Sequence, residues 1–430
     1  MAKLRSHRGT GLFCAPLLPC GVRWDILMVN GTKGGFAMRA AWEYVYAALW
    51  CADTQLFYDF RPQGTAPGDF AYLPAPAHIA AQTPNPNGWS TGMEDSMLNA
   101  GLMASAFAAL WTRTRDERLI APARAVLEGM LRCAEASPRE GFLPRSLSPA
   151  DGHSHYGNAS RDQYTNFVWG ACRLWDAGLV DDVQKPRLTR ALTAFARRME
   201  ADVTADNGYE LLREDGRPGL CCKMWGDVAP HEALRLPMVY AAAHHVSGDA
   251  RWLDLCLPLA AEGLTRSFDV DCGHDFWHDY AALQMQFSLR LLHDLLPDAA
   301  FRARSCELMQ RLAQHFEQKA FRIADELLAP GGLTGADFVY KPWHELPARF
   351  DGLISGLPYY NHGQSTAPGN AFYALRDLGD AAAVAALCPG RSPHPDLAQA
   401  VRDVSRRIPY EQHAACAPID LIHAHALCGR

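Results

Sequence analysis

Two neighbouring carboxylates, Glu94 and Asp95, follow a Pro/Asn/Gly-rich loop and a tryptophan in Asn87-Gly88-Trp89-Ser90-Thr91-Gly92-Met93-Glu94-Asp95-Ser96. A third, Asp162, stands in Ser160-Arg161-Asp162-Gln163-Tyr164-Thr165-Asn166. Each precedes apolar residues at helical spacing: Met97, Leu98, Leu102, Ala106 and Leu110 after the first, Phe167, Ala171 and Leu174 after the second. Carboxyl groups at two helix starts can divide the work of breaking a glycosidic bond. One protonates the leaving oxygen, and another activates water or attacks the sugar. A helix N-terminus favours an ionised Asp, which suits a base. An acid must be kept protonated by burial or by a like charge. Asp95 supplies a like charge beside Glu94, and Trp89 a desolvating surface. The plain alternative for Asp95 is an N-cap, since an Asp oxygen accepts the orphan N–H groups of a first helical turn.

Similar residue sets recur before later helical runs. His155, Tyr156, Arg161 and Gln163 surround Asp162; Trp225 and His231 precede the next run; His274 and Trp277 the one after. Trp343, His344, Tyr360, His362 and Gln364 precede the last. Capping explains an Asp or Ser at each start, but not the added His and Trp. These residues are expected to bind substrate, with the tryptophans stacking on sugar rings. His231-Glu232 and His344-Glu345 lack the H-E-x-x-H spacing of a zinc protease. No metal and no cofactor is expected.

The elements that must position these residues come in pairs. Helical periodicity predicts 95–112 with 117–135, 163–177 with 186–203, 232–246 with 250–266, 279–296 with 299–319, and 370–387 with 396–408. A helix over 40–52 and one within 411–428 bring the total to twelve. Turns inside pairs are short and loops between pairs long, so all long loops fall on one face. Six such hairpins close into an all-α (α/α)6 barrel, with minor β-hairpins in the long loops. An open solenoid is the alternative, but no fixed repeat period is visible. Residues 1–30 read as an N-terminal arm and 31–430 as one barrel domain.

With that layout the chain resembles the six-hairpin glycosidase superfamily. Asp162-Gln163-Tyr164-Thr165-Asn166 resembles the D-[NQT]-x-x-N helix start of unsaturated glucuronyl hydrolases and their rhamnogalacturonyl relatives. That resemblance implies a general acid/base role for Asp162 and a second functional carboxylate at Asp95. Thr91-Gly92-Met93-Glu94-Asp95-Ser96 looks like the S-G-[MLW]-D-x-S stretch of trehalase-like glucosidases, which implies an acid at Glu94 instead. The expected activity is glycoside hydrolysis of an oligosaccharide or polysaccharide-derived sugar. Two alternatives stand beside it. One is a polysaccharide lyase using Tyr359 to Gln364, with Arg161, Lys223 or Arg349 on a uronate. The other is a sugar epimerase.

Composition narrows the partners. The 430 residues are 49% hydrophobic and 20% charged, with a formal net charge of −6. No basic tract offers a nucleic-acid footprint, and no apolar run reaches the ~18 residues of a membrane span. The expected partner is a carbohydrate substrate, with no nucleic acid and no membrane; oligomeric state is unreadable. The 13 cysteines lack paired spacing and read as reduced, small apolar residues. A faintly signal-like N-terminus is interrupted by Pro16 and Pro19, so a cytoplasmic protein is expected.

Overall fold

The computed structural model describes residues 38–276, 278–333, 343–345, 349–354, 357–361, 371–411 and 415–429. Helices α1 (Arg39–Tyr44), α2 (Pro76–Ala80), α3 (Ser96–Thr114), α4 (Ile120–Ala136), α5 (Arg161–Asp176), α6 (Gln184–Asp202) and α7 (Arg235–Ser247) come first. Then follow α8 (Ala250–Ser267), α9 (Asp279–Leu295), α10 (Ala299–Leu328), α11 (Ala371–Ala386), α12 (Leu397–Ser405) and α13 (Ala417–Cys428). Among the described residues there are also three antiparallel two-stranded hairpins: Trp50–Cys51 with Leu56–Phe57, Glu210–Leu212 with Pro218–Lys223, and Arg349–Ile354 with Leu357–Asn361.

The inner helices form a circuit. α3 packs on α5, α5 on α7, α7 on α9, α9 on α11, α11 on α13, and α13 back on α3. Outside them α4 covers α3, α8 covers α7, α10 packs on α9 and α11, α12 on α10 and α13, and α1 on α13. The circuit closes, so the molecule is an (α/α)6 barrel and not a solenoid. No helix among the described residues is long and apolar enough to cross a membrane.

Small residues set the closest contacts. A Cβ placed on Gly101 of α3 would lie 2.3 Å from the Asn166 carbonyl oxygen of α5, and one on Gly170 of α5 2.6 Å from the Gly101 oxygen. Only hydrogen at these positions lets the two backbones meet, which offsets the helix-propensity cost of mid-helix glycine. Gly379 of α11 does the same against Asp420 of α13, at 2.6 Å. The barrel interior is filled by stacked Trp169 and Phe287, 4.6 Å between centroids. A polar plug accompanies them: Ser105 Oγ lies 3.0 Å from Trp169 Nε1 and 3.1 Å from His423 Nε2.

The two faces cap their helices differently. On the short-turn face, carboxylates accept the first-turn N–H groups. Asp116 takes Arg118, Asp181 takes Val183 and Gln184, Asp249 takes Arg251, and Asp298 takes Ala300 and Phe301. On the long-loop face, the N-cap residues of α3, α5, α7 and α9 make no side-chain cap bond. Polar side chains there are left for other work.

Three expectations are corrected. The helix over 40–52 is α1 followed by a π-helical turn, Val45–Leu49, and the chain then extends. The Tyr46, Trp50 and Phe57 rings pack together at 4.7–5.6 Å, and this aromatic cluster overrides helical continuation. α10 runs past 319 to Leu328, because Ile323, Ala324 and Leu327 extend its buried stripe. α13 starts only at Ala417, with Pro418 in its first turn. The arm over 1–30 lies outside the described residues.

Candidate active site

At the long-loop end of α3 the backbone is held by a residue from far upstream. Asp59 accepts the N–H of Glu94 at 2.6 Å and of Asp95 at 3.0 Å, with Asn99 Nδ2 at 3.4 Å. Asp59 thus holds the chain just ahead of α3, and the first-turn N–H of Met97 goes to the Arg145 carbonyl at 3.2 Å, so the Asp95 side chain makes no cap bond. Asp95 instead lies 3.5 Å from Gln163 Nε2, 3.6 Å from Arg376 Nη1 and 4.0 Å from Arg145 Nη1.

Glu94 is half-buried and accepts the Ser90 N–H at 3.2 Å. Burial, then the Asp95 charge, pushes its carboxyl up to about 7, against the pull of Arg145 and Arg376. Its main-chain oxygen accepts from Gln163 Nε2 at 3.1 Å and Arg145 Nη1 at 3.3 Å. Gln163 thus ties the first turn of α5 to that of α3.

Asp162 faces the opposite environment. Burial raises its carboxyl, but Arg235 and Arg161 outweigh that and hold it below the usual carboxylate range. Arg235, whose side chain is only 1% exposed, is hydrogen-bonded to Asp162 Oδ1. Arg161 pairs with Glu232 and donates to the Lys223 carbonyl at 3.2 Å. Tyr280, at the start of α9, feels the charges of Asp162, Arg376, Arg235 and Asp95. Arg376 lies over that ring at 5.1 Å. Tyr373 feels Glu94, Arg376 and Asp95 from α11 and stacks on His278 at 4.7 Å. Behind Arg376, 3.9 Å from its Nε, is Asp380. Asp380 and Asp420 are buried against each other, and burial raises both carboxyls, Asp420 to about 7.

Of the residues singled out by sequence, Glu94, Asp95, Arg161, Asp162 and Gln163 therefore meet in one place. His231 is close by, 3.6 Å from Glu232, with burial lowering its ring below the usual His range. The other residues expected to bind substrate have these surroundings. Trp89 is 5% exposed beneath the Arg145 guanidinium. Tyr156 is 3% exposed, donates to the Thr83 carbonyl and packs under Gly88. His155 binds Glu214 at 3.0 Å, and Trp225 carries Arg266 on its ring at 5.1 Å. His274 is exposed in a turn. Trp343 packs on His78 at 5.3 Å, and the exposed His344 ring packs on Trp343. Tyr360 belongs to the hairpin strand Leu357–Asn361. Trp277, His362 and Gln364 lie outside the described residues.

Asp59, Arg145, Arg235, Tyr280, Tyr373 and Arg376 were not singled out. Tyr280 follows the His278-Asp279 pair directly and was within reach of the helix-start rule. The arginines carry no such mark, being placed by the fold alone. No group of three His, Cys, Asp or Glu side chains among the described residues stands close enough to hold a metal ion.

No family model matches this chain, and no curated relative matches it in sequence. Solved structures of similar shape include the GH76A α-1,6-mannanase of Salegentibacter sp. HEL1_6, at 12% identity and TM-score 0.46. That match covers 92% of this chain and all of the mannanase. An inactive variant of the same mannanase in complex with α-1,6-mannotriose matches with the same values. Another, in complex with α-1,6-mannotetrose, matches at 13% identity and TM-score 0.44, with the same coverage.

Proposed function

We propose that this chain is a glycoside hydrolase whose reaction centre lies between the starts of α3 and α5. The observation that carries the reading is that two carboxyls stand at neighbouring inner-helix starts joined by Gln163, one of them against the buried Arg235. Glu94 is held protonated up to about pH 7, and Asp162 is held ionised by Arg235. Groups pushed apart in this way are matched to acid and base roles. The Glu94 carboxyl gives its proton to the glycosidic oxygen as the C–O bond breaks. Asp162 takes a proton from the water whose oxygen bonds to the anomeric carbon. Asp95 keeps Glu94 protonated by like charge.

Charge supports an uncharged sugar. Among the described residues, Arg145, Arg161, Arg235, Lys319 and Arg376 each lie against a carboxylate. A uronate seated on one of these side chains would have to displace its carboxylate, which disfavours the lyase alternative.

The test is a panel of neutral aryl glycosides and oligosaccharides, α-1,6-mannotriose among them, beside uronate-containing glycans. Glycosidic cleavage is expected, with Glu94→Gln and Asp162→Asn each lowering kcat by about 10²–10⁴-fold. A new C=C absorbance on uronates, or cleavage undiminished in both variants, would overturn the reading.

A further inference from the structure

On the closed face, away from the carboxylates, two thiols meet. Cys306 lies in the second turn of α10, and Cys388 just past the end of α11. The two thiols are near enough to interact electrostatically. Cys306 Sγ lies 3.8 Å and Cys388 Sγ 3.7 Å from the same Pro389 carbonyl oxygen. Gln310 Nε2 approaches Cys306 Sγ at 3.6 Å. Other thiols sit apart from this contact: Cys133 is buried beneath Tyr58, and Cys428 faces the Ala382 carbonyl at 3.5 Å.

We propose that Cys306 and Cys388 are an oxidisable pair that forms an intrachain disulfide with a low-molecular-weight disulfide such as oxidised glutathione, tying the outer helix α10 to the end of the inner helix α11. Accessibility sets the order of events. Cys306 is half-buried and reachable from solvent, whereas Cys388 is only 3% exposed. Burial also pushes the Cys388 thiol up to about 11, which makes it the weaker first nucleophile. The Cys306 thiolate attacks one sulfur of oxidised glutathione, giving a mixed disulfide and releasing one glutathione thiolate. Cys388 then loses its proton to solvent and attacks the Cys306 sulfur. The second glutathione leaves, so two protein thiols are oxidised as one glutathione disulfide is reduced to two thiols.

The link would close a long loop, the arrangement in which a disulfide most restricts the unfolded chain. It would leave the candidate active site untouched, because Arg376 lies twelve residues back along α11, roughly 18 Å at helical rise.

The test treats the native full-length protein with oxidised glutathione, blocks the remaining thiols and digests with trypsin without reductant. The expected product is one linked pair, residues 305–311 joined to 377–391. It should disappear with reductant and in Cys306→Ser and Cys388→Ser, and persist in Cys428→Ser. Tm should rise by a few degrees on oxidation in wild type and not in Cys306→Ser. Recovery of both peptides unlinked from native protein, or Cys388 joined to Cys428, would overturn the proposal.

Discussion

Asp59 holds the main chain of Asp95, whose own carboxylate turns to two arginines. Asp95 occupies the N-cap position of α3, yet its carboxylate makes no cap bond. Asp59 bonds the Asp95 N–H at 3.0 Å instead. A carboxylate that makes no cap bond is left to face Arg376 and Arg145.

Asp59→Ala leaves the N–H groups of Glu94 and Asp95 without their acceptor. A loss of about 1–3 kcal/mol is expected from the unsatisfied donors, with Glu94 and Asp95 displaced together. Urea unfolding should show the destabilisation, and turnover of any cleaved glycoside should fall. Unchanged stability would mean that water replaces the carboxylate.

Arg235→Gln leaves Asp162 half-buried and without its charged partner. The Asp162 carboxyl then moves up toward its usual range or beyond. The acidic limb of the pH–rate profile should move to higher pH, and stability should fall by about 3 kcal/mol as for a broken buried pair. Rate measurements from pH 4 to 8 check the first effect and chemical unfolding the second.

Gly101→Ala places a methyl against the α5 backbone. Overpacking by one carbon costs about 1–3 kcal/mol, and no flexible side-chain end is there to yield. The variant should unfold at lower urea concentration. Ala106→Gly, elsewhere on α3, serves as a comparison for helix propensity alone, at about 1 kcal/mol plus its buried methyl.

Much of this was legible from the residues and some was not. The 3.6 period marked all ten helices of the five central pairs to within a few residues, except the end of α10. The alternation of short turns and long loops gave ring closure. Period cannot report a tertiary competitor, and so the aromatic cluster that ends the first helix at Leu49 went unseen. The acidic residues of the site were visible because helix starts are visible. Their partners were not. Arg145 comes from a loop, Arg235 opens α7 without a motif, and Arg376 sits mid-surface on α11. Each is tied to the site by packing between inner helices, a relation sequence spacing does not carry. The burial of Trp89 and Tyr156 was not legible either, because aromatic residues in a loop look alike whether they stack on a sugar or hold the loop down.

The buried pair Asp380 and Asp420 makes stability depend on pH. The Asp420 carboxyl titrates near 7 in the folded chain, against an ordinary 3.8. The folded state therefore binds more protons than the unfolded state between these values. Its stabilising contribution is full below pH ~4 and is lost as pH rises toward 7, at up to about 1.4 kcal/mol per unit. Asp420→Asn should flatten the decline of Tm between pH 5 and pH 8. An equally steep decline in the variant would assign it to other groups.

The most direct measurement of the central claim is kcat/KM against pH for a cleaved glycoside, in wild type, Glu94→Gln and Asp95→Asn. Wild type should lose activity through an alkaline limb near pH 7, where the Glu94 carboxyl gives up its proton. The limb should vanish in Glu94→Gln and move to lower pH in Asp95→Asn, where the neighbouring charge is gone. A limb that survives Glu94→Gln, or stays in place in Asp95→Asn, would contradict the assignment of Glu94 as the acid.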